Sequence, residues 1–146
     1  MATEIELAWA AGFFDGEGCI HCRIDHGKLK HQFQLIISIS NTSLRSLERF
    51  KGIVQHGPIY VRRTYIGNFG PYKPNWQWRS VSKQAHEVLV LLFPYLVTKR
   101  QEAELAISAR KYLIGNRGGS PHREILQGIA FEIRDLKGRK EGEVLQ

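Results

Sequence analysis

Near the start of the chain, residues 7 to 14 carry no charge. Drawn as a helix, this stretch is apolar on every side. A helix of this kind is buried all round, so we expect one side to pack on the chain's own core and another to meet a second surface. Ala8, Ala11 and Gly12 share a patch of small side chains that lets another backbone come close. The apolar run ends abruptly, with two acids between glycines, at Asp15-Gly16-Glu17-Gly18.

Four later stretches alternate apolar and polar residues with a period of two, which predicts half-buried strands. They lie at residues 17–25, 32–40, 59–64 and 75–79. The apolar positions are expected to face inward, and they are Ile20, Cys22, Ile24, Phe33, Leu35, Ile37, Ile39, Ile59, Val61, Trp76 and Trp78. A bulge in the fourth strand would exchange the two tryptophans for Gln77 and Arg79 on that inner face.

Apolar positions at helical spacing predict four more helices. One follows the candidate N-caps at residues 41–43, one spans about 83–95 with Pro94 kinking or ending it, and one spans about 99–113 and stops at Gly115. The last opens at Ser120-Pro121. The predicted fold is α+β: an αββαββα domain with a four-stranded antiparallel sheet and extra C-terminal helices. We expect a single domain over residues 1–136 and a charged tail over residues 137–146.

The outward positions of the four strands carry a distinctive set of polar side chains. They are His21, Arg23, Asp25, Gln32, Gln34, Ser38, Ser40, Tyr60, Arg62, Thr64, Asn75, Gln77 and Arg79. A face that is merely solvated is usually rich in Glu and Lys, and both are absent from this set. Arg, Gln and Asn suit the edges of guanine and adenine, and a β-ribbon fits the DNA major groove. We therefore interpret this face as DNA-reading.

Composition supports a polyanionic partner. The net charge is +7, and residues 18–86 contain eleven Lys or Arg against two acids, which is the charge pattern of a nucleic-acid-binding surface. No apolar run is long enough to cross a membrane, and Glu4 and Glu6 stand where a secretory signal would be basic. Cys19 and Cys22 have C-x-x-C spacing, but a strand places them on opposite faces, so we expect no zinc or redox site and an intracellular location.

Two stretches of the chain resemble the LAGLIDADG homing endonucleases. Residues 10–18, Ala-Ala-Gly-Phe-Phe-Asp-Gly-Glu-Gly, align without a gap to the family signature, with its glycines and both acidic positions kept. Residues 94–103, Pro-Tyr-Leu-Val-Thr-Lys-Arg-Gln-Glu-Ala, are also similar to the family. The resemblance covers about residues 5–105. The alternative for the first stretch is a core helix that ends in a glycine-rich turn with two solvated acids.

The resemblance implies a role for particular residues. Glu17 would bind the metal together with the backbone carbonyl of Gly16, and Asp15 would be a structural hydrogen-bonding residue at the helix end. Lys99 would lie near the scissile phosphate, the alternative being a solvated lysine at a helix start. Asn41 and Arg45 would position the attacking water or neutralise phosphate, with Asn41 acting only as a helix cap as the alternative. The implied cofactor is Mg²⁺, or another divalent cation such as Mn²⁺ or Ca²⁺.

One copy of the signature supplies too few carboxylates for a metal site that cleaves phosphodiesters, and we find no second copy in the chain. We therefore expect a two-fold homodimer on double-stranded DNA, with an interface formed by Ala8, Ala11, Gly12 and Asp15. Such a dimer would make a staggered cut in a roughly palindromic site, without a membrane or a small-molecule cofactor. Two alternatives stay open: a non-catalytic binder such as an RNA maturase, and a small basic protein that binds DNA without sequence preference.

Overall fold

The first helix has a well-defined start because Thr3 caps it. The Thr3 hydroxyl accepts a hydrogen bond from the backbone N–H of Glu6, and the Glu6 carboxylate accepts one from the Thr3 N–H, a reciprocal pair that satisfies two backbone donors. Helix α1 then runs over Glu4–Glu17. Its inner side is fully buried at Ala10, Ala11 and Phe14.

The computed structural model describes residues 1–27, 30–64, 73–113 and 122–143. After α1 come strands β1 (Gly18–Gly27) and β2 (Lys30–Asn41), helix α2 (Leu44–Val54), and strands β3 (Ile59–Thr64) and β4 (Lys73–Val81). Helices α3 (Ser82–Leu92), α4 (Arg100–Ala109) and α5 (Arg123–Glu143) follow, with short 3₁₀ turns at Phe93–Tyr95 and Arg110–Tyr112. This is the predicted order of elements, and the fold class is confirmed.

The four strands form one antiparallel sheet in the order β1-β2-β4-β3. Helices α1, α2 and α3 pack against it, and its inner face supplies Ile20, Ile37, Ile39 and Trp78 to the core, each with no exposed surface. Trp78 stands edge-on to Phe50 with ring centroids 4.7 Å apart, and its indole N–H donates to the His56 carbonyl at 2.7 Å. The tryptophans of β4 therefore face inward as predicted, without the exchange that a bulge would cause.

The structure corrects several predicted boundaries. Both β1 and β2 extend beyond the predicted strands, since their pairing continues to Gly27 opposite Lys30. Helix α3 ends at Leu92, ahead of Pro94, which cannot donate the next helical hydrogen bond. Helix α4 ends at Ala109, before a 3₁₀ turn. The predicted helix stop at Gly115 and the helix start at Ser120-Pro121 lie outside the described residues.

Two further expectations differ from the structure. Residues 137–143, expected to be a tail, continue helix α5, which packs on β1 and β2. Val61 was expected to be buried, but its side chain is 67% exposed. Val61 does lie on the same side as its cross-strand partner Trp76, yet β3 is an edge strand, and this corner of the sheet opens into a groove lined also by Ile59. Within the described part of the chain, no helix is long and apolar enough to cross a membrane.

Candidate functional site

Glu17 is the last residue of α1 and is exposed. Among the described residues its carboxylate has no hydrogen bond or ion pair. The carbonyl end of a helix carries partial negative charge, and the last turn of α1 contains no basic residue. A carboxylate at that end adds to the negative potential, so the position favours a cation. Gly16 is exposed beside it, with open space where a side chain would be.

Asp15 joins the two stretches that the sequence analysis singled out. Its carboxylate accepts hydrogen bonds from the backbone N–H groups of Val97, at 2.7 Å, and Lys99, at 2.9 Å. The Lys99 ammonium group in turn donates to the Asp15 carbonyl oxygen. These bonds give Asp15 the structural hydrogen-bonding role that was predicted for it. They also place the Lys99 side chain at the end of α1, two residues from Glu17.

Asn41 is the last residue of β2, and Arg45 lies in the first turn of α2. The Asn41 side-chain oxygen accepts a hydrogen bond from the Ser43 N–H at 2.8 Å, and Ser43 is the N-cap of the helix, accepting from Ser46 N–H. The helix cap is therefore Ser43, and the Asn41 oxygen instead bonds the backbone of the turn just before α2. Arg45 is exposed in the first turn of α2, where its guanidinium is accessible to an anion.

The predicted polar face of the sheet is present, and its residues form cross-strand rows. Directly paired residues share one face of a sheet, and the pairs are Arg23 with Gln34, Ser38 with Arg79, Ser40 with Gln77, Gln77 with Tyr60, and Asn75 with Arg62. The Asn75 Oδ1 and Arg79 Nε atoms have no hydrogen-bond partner among the described residues. Asp25, Gln32 and Thr64 lie on described strands, but their side chains are outside the described set.

His21 and the two cysteines report on the charge around β1. Partial burial lowers the pKa of His21, and the nearby charges of Lys137, Arg134 and Arg23 lower it further. Burial raises the pKa of the Cys22 thiol to about 12, whereas Cys19 is exposed, and both are free thiols. The two cysteines thus face opposite sides of the strand, as predicted. No group of three or more metal-ligating side chains occurs among the described His, Cys, Asp and Glu residues.

Two of the four residues predicted for the interface are engaged within the chain itself. Ala8 and Gly12 are exposed, but Ala11 is fully buried in the chain's own core beside Ala10 and Phe14. Ala11 is therefore unavailable to a partner in this structure, and the Asp15 carboxylate is engaged within the chain. Large apolar side chains take their place on the surface: Ile5 is 83% exposed, Trp9 41% and Val97 81%.

Sequence reasoning missed two charged residues near this site. Glu102 lies in α4 and is only 2% exposed. Lys137 in α5 donates hydrogen bonds to the Ile20 carbonyl and to the Cys19 sulfur. The sequence placed Glu102 inside the second family-like stretch but gave no sign of its burial. Lys137 was assigned to the tail because its neighbours are charged.

A comparison with protein families identifies the chain. The family model described as LAGLIDADG endonuclease matches residues 10–103, a range that includes the second half of α1 with Glu17, the sheet, Lys99 and Glu102. The chain therefore belongs to the LAGLIDADG endonuclease family. A search of curated proteins finds no match.

Solved structures share the fold. The homing endonuclease I-CvuI in complex with its target is 23% identical, with a TM-score of 0.69 over 90% of this chain and 82% of that chain. The archaeal intron-encoded homing endonuclease I-Vdi141I complexed with DNA is 14% identical, with a TM-score of 0.72 over 91% of this chain and 84% of that chain. At these identities the likeness establishes the architecture, and the roles of individual residues need their own argument.

Proposed function

We propose that this protein is a metal-dependent, site-specific DNA endonuclease that acts as a homodimer and makes a staggered double-strand cut. The observation that carries the proposal is Glu17: an exposed carboxylate without a described partner, at the negative end of an apolar helix, beside an anchored lysine. An acid in such a place has no structural use that we can identify. The Glu17 carboxylate suits a cation, and the Lys99 ammonium group beside it suits a phosphate.

One chain supplies only some of the oxygen ligands that a divalent metal requires. A second chain would supply the others. Mg²⁺ takes hard oxygen ligands and is typically held by one or two carboxylates together with water and substrate phosphates. One chain offers the Glu17 carboxylate and the Gly16 carbonyl. A two-fold axis along the exposed side of α1 would bring a second Glu17 close. When bound, the metal would stabilise charge on the attacking and leaving oxygens.

The surface of α1 supports dimerisation through this helix. Ile5, Trp9 and Val97 expose apolar area that is costly to leave in water. Ala8 and Gly12 share one side of α1 with Ile5 and Trp9, and Val97 lies in the segment before α4 whose backbone is bonded to Asp15. Small residues allow a partner helix to approach closely, while the larger apolar residues supply the buried area. The interface we propose therefore keeps Ala8 and Gly12 and replaces Ala11 with Ile5, Trp9 and Val97.

The other residues have separate roles in the proposed reaction. The Lys99 ammonium, held at the Asp15 carbonyl, would stabilise negative charge on the scissile phosphate. Arg45 would bind a backbone phosphate at the start of α2, and Asn41 would orient water through its amide group. The polar rows of the sheet, with their Arg, Gln and Asn side chains, would read base edges in the major groove.

Cleavage by a Glu17→Gln variant tests the proposal. The target duplex is first selected from a random library with wild-type protein in Ca²⁺, and cleavage is then measured in Mg²⁺. We expect Glu17→Gln to slow cleavage by more than about 100-fold, above the range for partners that only support a metal ligand, while the Kd for the duplex in Ca²⁺ changes little. Glu4→Gln, an exposed acid at the opposite end of α1, is the matched control and should cleave like wild type.

Two outcomes would contradict the proposal. A Glu17→Gln protein that cleaves at the wild-type rate would remove the mechanism. A wild-type protein that binds the selected duplex without cutting it in Mg²⁺ or Mn²⁺ would favour a non-catalytic nucleic-acid binder on this scaffold.

A further inference from the structure

The turn between α1 and β1 is held by two lysines, one on each side of Glu17. Lys99 from the start of α4 donates to the Asp15 carbonyl, and Lys137 from α5 donates to the Ile20 carbonyl. The two elements that carry these lysines pack against each other. The position of the Glu17 backbone thus depends on two ammonium groups that come from separate helices.

Both lysines line one cavity together with a buried acid. The cavity has a volume of about 140 Å³ and is lined by Ile20, Thr98, Lys99, Glu102 and Lys137. Glu102 lies one helical turn after Lys99, so the two side chains are neighbours on α4. It is 2% exposed, and both Glu102 and Lys99 have interaction partners in the structure. Apart from Ser80, Glu102 is the only buried polar or charged side chain among the described residues.

A buried carboxylate needs an opposite charge, because removing it from water is unfavourable unless it is paired or hydrogen-bonded. Two ammonium groups around one small cavity repel each other at low local dielectric. A carboxylate between the two ammonium groups is paired with opposite charge and also reduces the repulsion between them. Simple packing does not explain Glu102, since an apolar side chain would fill the same space without this cost.

We propose that Glu102 is a positioning residue of the cleavage site, which holds the Lys99 and Lys137 ammonium groups on the carbonyls that flank Glu17. This inference rests on the proposed function for its catalytic consequence, but the positioning itself is a property of the free protein. Glu102 acts through Lys99, and it contacts neither DNA nor metal. Lys137 completes the arrangement by fixing the β1 side of the turn.

Competitive acetylation of lysines tests the positioning without DNA, metal or activity. Trace labelling of the free protein, followed by peptide mass spectrometry, gives the relative reactivity of each amine. In the wild-type protein, Lys99 and Lys137 should react at least about fivefold more slowly than the exposed Lys83 and Lys111, because each ammonium group must first leave its hydrogen bond to a backbone carbonyl. In Glu102→Gln, Lys99 should react about three- to tenfold faster than in wild type.

The matched control is Glu104→Gln, which removes an exposed acid from the same helix and should leave Lys99 reactivity unchanged. Glu102→Asp keeps the charge and should restore most of the slow labelling. Equal Lys99 reactivity in wild type and Glu102→Gln would overturn the proposal. So would wild-type Lys99 that reacts as fast as Lys83, a result that needs no variant and stands even if Glu102→Gln fails to fold.

A cleavage assay separates this inference from the proposed function. If both hold, Glu102→Gln slows single-turnover cleavage about tenfold or more, because a misplaced catalytic group loses much of its effect, while the Kd for duplex in Ca²⁺ stays within about twofold. Faster labelling of Lys99 with no change in cleavage would contradict the catalytic consequence and leave the positioning intact. Absence of cleavage by the wild type would overturn the proposed function and leave the labelling result standing.

Discussion

At the residue scale, the two acids at the end of α1 differ in their surroundings. Asp15 binds two backbone N–H groups of the segment before α4, whereas Glu17 is exposed at the helix end. The resemblance to the family predicts this division, since it assigns metal binding to Glu17 and a structural role to Asp15. It could not reveal Glu102, because burial of a single acid depends on where α5 packs.

His21 provides a pH-dependent prediction. Burial, followed by the charges of Lys137, Arg134 and Arg23, lowers the pKa of His21 in the free protein, so His21 is neutral at pH 7. DNA phosphates next to this face would favour the charged imidazole and raise that pKa in the complex. Binding would then take up protons, and affinity would increase as the pH falls through the interval between the two pKa values.

We expect wild-type affinity for the selected duplex to gain about twofold or more relative to that of His21→Gln between pH 8 and pH 5, because only the wild type takes up a proton at residue 21 on binding. Fluorescence anisotropy in Ca²⁺ at constant ionic strength measures this difference. Arg45→Lys is the control: it keeps a positive charge at residue 45 and leaves His21 in place, so its affinity should change with pH as that of the wild type does. Parallel pH profiles for the wild type and His21→Gln would mean that His21 does not face phosphate.

At the scale of secondary structure, alternation along the chain predicted the strands well because one face of the sheet is buried and the other is polar. A shift of one residue would have turned every side chain over, and Trp78 in the core rules that out. Position within the sheet was harder to predict. Val61 follows the inward pattern and is still exposed, because its strand lies at the edge.

The end of α5 was missed for a physical reason. Residues 137–143 contain two glycines and mostly charged side chains, a composition that disfavours an isolated helix. Contact with β1, including the bonds from Lys137, stabilises what local propensity does not. Ala11 was missed in the same way: a helix that is apolar all round does not reveal which side its own core will take.

Gly57, in the turn after α2, and Gly52, within α2, give a matched test of the packing around Trp78. Gly57 has a φ of +85°, and a side chain there would come within 2.5 Å of the Trp78 indole nitrogen. Gly52, in α2, has open space around it. We expect Gly57→Ala to lower the free energy of unfolding by about 2 to 4 kcal/mol and Gly52→Ala to raise it by about 0.5 to 1 kcal/mol.

Urea unfolding followed by tryptophan fluorescence measures both changes in the free energy of unfolding. Equal stability of the Gly57→Ala and wild-type proteins would show that the turn at residue 57 can relax away from Trp78. A destabilised Gly52→Ala protein would show that the exposed side of α2 makes contacts that the single chain lacks.

At the scale of the whole molecule, the proposed mechanism requires two chains that pack against each other along α1. The sequence supplied the reason, a single acidic signature with apolar residues on all sides of its helix, and the structure adds that Ile5, Trp9 and Val97 remain on the surface of one chain. In the proposed mechanism one chain supplies one Glu17, so cutting both DNA strands requires a second copy.

Sedimentation equilibrium of the wild-type protein and an Ala8→Arg variant tests this claim most directly. The chain has a mass of 16.7 kDa, and we expect the wild type to sediment at twice that value at micromolar concentration. Ala8→Arg, which places a charge at the centre of the proposed interface, should sediment as a single folded chain. A wild-type protein that remains a single chain, alone and on its selected duplex, would contradict the account.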